Sequence, residues 1–264
     1  LKLNDCNQLD DAAIIEFANK CPNILEIDLH QCKKIGDEPV TSLLKNGRVL
    51  RELRLANCDL ISDAAFLSLP SNQKYDHLRI LDLTFCTRLT DRAVEKIIAV
   101  APKLRNLVFA KCRLLTDAAV NAISKLGKNL HYLHLGHCSQ ITDNAIINLV
   151  AYCNRIRYID LGCCTHLTDV SVTKLASLPK LRRIGLVKCN AITDASVIAL
   201  AQSPRPIDQF SMQAQISNIT PAERIRMAEY DWIHHMGHFS NLSYMNNSSL
   251  ERVHLSYCTN LTLN

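Results

Sequence analysis

Apolar residues recur along the chain with a period of about 26 residues, and each period contains a short alternation of apolar and polar positions that ends two residues before a cysteine. In the unit of Cys86, for example, Leu81 and Leu83 lie on one face of this alternation. A period of two is typical of a strand that buries one face. Position −5, counted from the repeat cysteine, is apolar in eight units: Ile27, Leu53, Leu81, Leu107, Leu133, Ile159, Ile184 and Val253.

The cysteines define the repeat. Nine of the 12 lie at positions 6, 32, 58, 86, 112, 138, 164, 189 and 258, with gaps of 26, 26, 28, 26, 26, 26, 25 and 69 residues. A disulfide needs two partners within reach, and structural zinc sites usually need close cysteine pairs such as CxxC, which this sequence lacks. One cysteine per period therefore predicts a buried free thiol that donates weakly to the backbone of its own turn, in a reducing compartment.

A helix start follows each strand. Position +5 is aspartate in eight units, and in six of them a Ser or Thr precedes it, as in Thr116-Asp117. Such oxygens can accept the free N–H groups of the first helical turn, so we interpret the aspartates as helix caps. Ala119, Ala122, Ile123 and Leu126 then follow at helical spacing and predict about three turns with one buried face.

Strand, turn and helix in each unit cannot bury their apolar faces alone, so the units should stack into one parallel sheet with helices behind it. The pattern L-x-x-L-x-L-x-x-C-x-x-L/I-T/S-D resembles the cysteine-containing leucine-rich repeats of F-box proteins. The stretch 78–120, LRILDLTFCTRLTDRAVEKIIAVAPKLRNLVFAKCRLLTDAAV, is most similar to fungal F-box proteins of glucose repression and cyclin turnover. The resemblance implies an α/β leucine-rich-repeat solenoid, a curved right-handed horseshoe with one parallel strand and one helix per repeat.

The same resemblance implies a function. Such proteins capture phosphorylated substrates for ubiquitination and proteasomal degradation, and reach a cullin through a Skp-family adaptor bound by their F-box. No F-box-like segment precedes the repeats, so we expect a fragment in which adaptor and cullin contacts depend on a missing F-box. The alternative is an F-box-free leucine-rich-repeat scaffold in mitotic exit or DNA repair.

Three regions are predicted from the columns. Residues 1–203 should form about eight repeats, the first of them truncated, and residues 250–264 should begin a further, truncated repeat. Residues 204–249 have none of the repeat columns and should be a flexible insertion, with a short helix at 221–233. His234, His235 and His238 in this insertion lack an acidic partner at useful spacing, which argues against a metal site there.

Charge and composition exclude several classes of function. The 264 residues carry a net charge of +5, which is low for a dedicated nucleic-acid binder, so no nucleic-acid partner is expected. No window of eighteen uninterrupted apolar residues occurs, so we expect no membrane partner and a cytoplasmic or nuclear location. Apart from repeated columns we find no nucleophile, base and acid set, and a zinc site at His134, His137 and Cys138 is disfavoured. We therefore expect no enzyme, cofactor or metal.

Binding should then use the columns that the fold leaves free. Positions −1, +1 and +2 of the seven units from Cys32 to Cys189 hold six basic residues against one acidic residue, and we call these positions the basic rim. Phosphate and carboxylate groups make strong charge-assisted bonds to such cations, which predicts acidic or phosphorylated protein substrates. The predicted substrate-binding residues of the rim and concave face are Arg54, Arg88, Lys111, Arg113, His134, His137 and Lys188.

Overall fold

A computed structural model describes residues 1–202 and 249–262, and within them strands and helices alternate along the chain. The strands are β1 (Glu26–Asp28), β2 (Glu52–Arg54), β3 (Ile80–Asp82), β4 (Asn106–Val108), β5 (Tyr132–His134), β6 (Tyr158–Asp160), β7 (Arg183–Gly185) and β8 (Arg252–His254). The helices are α1 (Asp11–Lys20), α2 (Asp37–Asn46), α3 (Ala64–Leu67), α4 (Asp91–Val100), α5 (Asp117–Ser124), α6 (Asp143–Tyr152), α7 (Asp169–Ala176) and α8 (Asp194–Ala201). A 3-10 turn at Gly127–Asn129 follows α5.

The strands form one parallel sheet in chain order, from β1 to β8. Equivalent positions pair, so Leu81 lies opposite Leu53 on one side and Leu107 on the other. β8 pairs directly with β7, although about 70 residues separate them in sequence. The predicted parallel sheet with one strand per unit is therefore confirmed. Each strand is only three residues long and covers positions −6 to −4, one residue earlier than the alternation suggested.

The core lies between the sheet and the helices. Positions −5 and −3, the cysteine and position +3 are at most 2% exposed in the seven units from Cys32 to Cys189, as Leu107, Phe109, Cys112 and Leu115 show in one of them. Helix α5 closes this core with Ala119, Val120 and Ile123, which are fully buried. The helical spacing in the sequence predicted this face, because residues three and four apart lie on one side of a helix.

The ten-residue helices have the predicted three turns, the eight-residue helices α5, α7 and α8 have about two, and helix α3 departs most from the prediction. It has four residues, whereas the other seven helices have eight or ten. Pro70 follows closely, and a proline disfavours helical backbone in the residue before it. The 28-residue unit instead places Tyr75 against the core with 8% exposure, and the backbone N–H of Tyr75 donates to the carbonyl of Val100 at 2.7 Å.

Part of the predicted organisation lies outside the described residues. This applies to nearly all of the proposed insertion at 204–249, to its helix at 221–233, and to His234, His235 and His238.

Candidate protein-interaction surface

A left-handed residue in each turn sets the direction of the basic rim. Position −1 has a positive φ of 59–67° in all nine units, and none of these residues is glycine: Asp5, Gln31, Asn57, Phe85, Lys111, His137, Cys163, Lys188 and Tyr257. The cost of this conformation is offset by a hydrogen bond, because the N–H of position −1 donates to the position −2 carbonyl of the next unit, as Lys111 does to Gly136 at 2.7 Å. The rim therefore rests on a backbone ladder that crosses every unit boundary from β1 to β8.

The repeat cysteines form a second ladder, and their hydrogen-bond partners differ from the predicted ones. Eight of the nine thiols donate to the position −3 carbonyl of the preceding unit. Cys112 Sγ lies 3.2 Å from the carbonyl oxygen of Leu83 and 4.0 Å from that of Ala110 in its own turn, and Cys6 Sγ lies 3.8 Å from the carbonyl oxygen of Asn4. Seven further units repeat the contact with the preceding unit at 3.1–3.4 Å. Burial raises the pKa of Cys58, Cys138 and Cys189 to about 12, so these thiols stay protonated donors at neutral pH.

The aspartates form a third ladder, and their interpretation as caps of their own helices is wrong. Asp117 is the first residue of α5, and its carboxylate accepts the backbone N–H of Thr142 at 2.7 Å and the hydroxyl of Thr142 at 2.6 Å. Asp37, Asp63, Asp91, Asp143, Asp169 and Asp194 bind the next Ser or Thr in the same way. The capping oxygen comes from the threonine, since Thr116 accepts from the N–H of Ala118. Burial alone would raise the pKa of Asp143, but hydrogen bonds from Thr168 and Ser171 lower it.

These ladders place the predicted rim residues on one exposed edge. Arg88, Lys111, Arg113 and Lys188 are exposed. Among the described residues, none of the four forms a salt bridge. Lys33, another rim cation, lies 2.9 Å from Asp59 and is thereby paired.

Two rim lysines lie over aromatic rings of neighbouring units. Lys111 Nζ is 5.6 Å from the ring centre of Phe85, and Lys188 Nζ is 5.4 Å from that of Tyr257. Cation–π contacts of this length hold a side chain in place without neutralising its charge. Both ammonium groups therefore remain available to an anionic partner.

Two of the other three predicted binding residues, Arg54 and His137, contribute less positive charge than the sequence suggested. Arg54 is half-buried on the concave face and its guanidinium is paired with Glu52. Partial desolvation, followed by the charges of Lys111 and Arg113, lowers the pKa of His137, so its imidazole is mainly neutral at pH 7. His134 lies on the concave face, with Nε2 3.7 Å from Asp160 Oδ1.

A cluster on the concave face beside His134 contains residues that were not among the predicted binding residues. Tyr132 and Tyr158 occupy equivalent positions on β5 and β6, and their rings stack with centres 4.1 Å apart and planes 2° apart. Asp160 lies next to them and accepts the N–H of Gly162 at 2.9 Å and the hydroxyl of Tyr158 at 3.3 Å. The signal was the recurrence of tyrosine at position −6 in two consecutive units, since equivalent positions in a stack are neighbours.

A metal site and a membrane-spanning helix are both absent from the residues that the structure describes. In the described part of the chain, no group of three His, Cys, Asp or Glu side chains is arranged to hold a metal ion. None of the described helices is long and apolar enough to cross a membrane.

Comparisons with known proteins agree with the repeat architecture. A family model described as Leucine Rich repeat matches residues 76–97. One chain of the crystal structure of the Rad7 and Elc1 complex in yeast is similar at 22% identity, with a TM-score of 0.60 and coverage of 73% of this chain. This chain spans 51%, about half, of the length of that yeast chain.

A tropomodulin C-terminal domain from Caenorhabditis elegans is also similar, at 14% identity and a TM-score of 0.37, with 84% of this chain and 99% of that domain covered. The repeat columns, the parallel sheet and the likeness to the yeast chain establish an α/β leucine-rich-repeat solenoid, a fold typical of protein-interaction scaffolds.

Proposed function

We propose that this chain is the substrate-recognition part of an F-box-type ubiquitin ligase and that it binds acidic or phosphorylated protein segments along the basic rim. The observation that carries the binding step is the exposure of Arg88, Lys111 and Arg113 on two neighbouring units, where none of the three forms a salt bridge with another described residue. Parallel strands lie about 5 Å apart, so one extended peptide can contact both units. Phosphate and carboxylate groups suit this surface because arginine can bind them through two hydrogen bonds at once.

The ligase part of the proposal has separate support. The cysteine-containing repeat pattern resembles that of F-box proteins, and the fold is similar to a chain from the Rad7 and Elc1 complex of yeast. A Skp-family adaptor and a cullin would be recruited through an F-box, a segment distinct from the repeats, in the cytoplasm or nucleus. The test is affinity purification of the full-length protein from its own cells. We expect adaptor and cullin to copurify, and their absence would contradict this part while leaving the binding step standing.

The binding step is tested by titration with peptides. The probe is a panel of fluorescent peptides of equal length that carry phosphothreonine, glutamate or neutral residues at the same positions. We expect phosphorylated peptides to bind, and the variant Arg88→Glu/Lys111→Glu/Arg113→Glu to bind them at least a hundredfold more weakly, a loss of about 3 kcal/mol. Higher salt should also weaken binding to the unmodified chain, because exposed charges are screened beyond about 8 Å at physiological ionic strength.

A matched control separates the rim from net charge. Lys103, Lys128 and Lys180 are exposed, lie between a helix and the following strand, and can be reversed together for the same change of six charges. We expect this second variant to bind phosphopeptides within about threefold of the unmodified chain, since these residues precede the strands whereas the rim follows them. Equal losses in the two variants would contradict a rim site, and circular dichroism should show that both variants are folded.

A further inference from the structure

Asp160 is a half-buried carboxylate for which the described residues provide no Lys or Arg partner. Its side chain is 22% exposed, and the only basic group within 4 Å among the described residues is the imidazole of His134. Arg183, the first residue of the neighbouring strand β7, and Arg182 before it are otherwise engaged, because both pair with Glu251. Burying a carboxylate without a cation costs free energy, so this position has unused capacity to bind one.

The carboxylate is held in one orientation by its neighbours. Gly162 N–H binds Oδ1 at 2.9 Å and the Tyr158 hydroxyl binds Oδ2 at 3.3 Å. Burial, with further contributions from Asp160 and Tyr132, raises the pKa of Tyr158, so this hydroxyl remains a proton donor. A carboxylate has about four acceptor directions, and these two bonds leave lone pairs on both oxygens for a ligand.

The sheet around Asp160 is free of side chains at three positions. A Cβ atom on Gly185 would lie 2.6 Å from Asp160 Oδ2, so only glycine lets the carboxylate lie across β7. Gly136 and Gly162 occupy position −2 of two neighbouring units and leave room for the side chains of the cluster, since an added Cβ would lie 2.9 Å from His134 Nε2 and 3.3 Å from Asp160 Oδ1, respectively. The stacked rings of Tyr132 and Tyr158 lie beside the carboxylate, to which the Tyr158 hydroxyl donates.

Lysines of the rim do not fill this space. Lys111 lies over Phe85, one unit before its own, and Lys188 lies over Tyr257, one unit after its own. The unit that carries Asp160 lies between the units of these two lysines, so both ammonium groups are directed away from it. Position −1 of that unit is Cys163, which is not a basic residue.

We propose that Asp160, Tyr132, Tyr158 and His134 form a pocket for an arginine side chain of a partner protein. A planar guanidinium can stack on a tyrosine ring while it donates two parallel hydrogen bonds to a carboxylate, which an ammonium group cannot do. The pocket goes beyond the proposed binding of anions at the rim, because it selects the opposite charge. A partner that uses both sites carries an arginine close to an acidic or phosphorylated residue.

NMR titration of the full chain tests the pocket directly. The probe is the peptide acetyl-Gly-Arg-Gly-amide, and the readout is the amide signals of Gly162 and Gly185, which lie in a separate region of the spectrum. We expect saturable shifts of these signals with the arginine peptide, and affinity at least fivefold lower for the lysine analogue. A neutral citrulline analogue that binds as tightly as arginine, or equal binding of the lysine and arginine peptides, would overturn the proposal.

Two variants locate the binding site. Asp160→Asn keeps an oxygen for the Gly162 N–H but removes the charge, so we expect at least a tenfold loss of arginine-peptide affinity. Asp82→Asn is the matched control, because Asp82 occupies the same position −4 and accepts the N–H of Thr84 at 3.0 Å but has no tyrosine beside it in its strand. Equal effects of the two substitutions, or no effect of Asp160→Asn, would overturn the pocket.

The rim and the pocket can fail independently. The variant with reversed Arg88, Lys111 and Arg113 should retain the arginine peptide, and Asp160→Asn should retain phosphopeptides. Loss of arginine-peptide binding in the rim variant, with circular dichroism showing that it is folded, would place the arginine elsewhere and overturn the pocket.

Discussion

The turn after each strand and the concave face of the same strands belong to one repeat but follow opposite rules. In the turn, eight thiols make one kind of bond to the preceding unit and seven aspartates make one kind of bond to the next Ser or Thr. On the concave face, the pair of residues at positions −6 and −4 is different in every unit: Glu26 and Asp28, Glu52 and Arg54, Ile80 and Asp82, Asn106 and Val108, Tyr132 and His134, Tyr158 and Asp160, Arg183 and Gly185.

The difference follows from what each surface contacts. The repeated cysteines and aspartates are bonded to a neighbouring unit, so their chemistry must fit the same partner at every boundary. A concave side chain faces solvent between two similar neighbours, and the fold does not restrict its type. Repeated positions therefore stabilise this molecule, and the positions that vary are available for recognition.

The largest effect that we expect is a loss of stability at alkaline pH, because the buried thiols lose their protons. Burial raises the pKa of Cys58, Cys138, Cys153 and Cys189 from 9.0 to about 12. Since the folded state holds these protons more tightly, the stability they contribute is complete below pH 9 and is lost as the pH rises towards 12. Above pH 9, each such thiol should lower the free energy of unfolding by about 1.4 kcal/mol per pH unit.

The measurement is the free energy of unfolding in urea at pH 8 and pH 10, with a reducing agent present throughout. We expect the free energy of unfolding to be several kcal/mol lower at pH 10 than at pH 8. In a variant with Cys58 and Cys138 replaced by alanine, we expect this decrease to be smaller. An unchanged unfolding midpoint at pH 10 would contradict the burial of the thiols.

Asp117→Ala should have the next largest effect. The substitution leaves the Thr142 N–H and hydroxyl without their acceptor at the boundary between two units, and should lower the free energy of unfolding by about 2–3 kcal/mol. Asp82→Ala is the control on the concave face, because among the described residues the Asp82 carboxylate accepts hydrogen bonds from Thr84 of its own unit. This substitution should lower the free energy of unfolding by less than about 1 kcal/mol. Urea unfolding of both variants checks the prediction, and equal losses would remove the distinction between the two surfaces.

Cys112→Ala should show the same contrast more weakly. Cys112 is fully buried, and loss of its sulfur should cost about 1–3 kcal/mol, whereas Cys163→Ala on the half-exposed rim should cost less than about 0.5 kcal/mol. Mass spectrometry after brief alkylation of the native chain gives an independent measure. We expect Cys163 to be modified well before Cys112, and the reverse order would show that the thiol column faces solvent.

Much of the fold could be predicted from the sequence, because each prediction used spacing within one unit. The alternation at Leu81 and Leu83 and the helical spacing from Ala119 to Leu126 are local, and the structure confirms both. The bond partners of Cys112 and Asp117 could not be predicted in this way, since they lie in a neighbouring unit. The short length of helix α3 could not be predicted either, because the same columns precede it as precede the longer helices and only the residues around Pro70 differ.

The candidate surface was less predictable than the fold. The sequence located the exposed columns and their charges, but the left-handed backbone at position −1 gave no residue signal, as Phe85, Lys111 and His137 all adopt it. The pairing of Arg54 with Glu52 and the lowered pKa of His137 depend on side-chain positions, so their reduced charge appeared only in the structure.

The sequence by itself determined the repeat, its strand and helix, and the faces that become buried, because apolar periodicity and burial are coupled within each unit. Only the tertiary structure decided which atoms meet across the unit boundaries. Stacking in register brings Cys112 to Leu83, Asp117 to Thr142, and Tyr132 to Tyr158, residues that are 25 to 29 positions apart in the sequence. Directional hydrogen bonds and ring contacts depend on this register and on side-chain orientation, whereas the hydrophobic effect that drives the stacking has no direction.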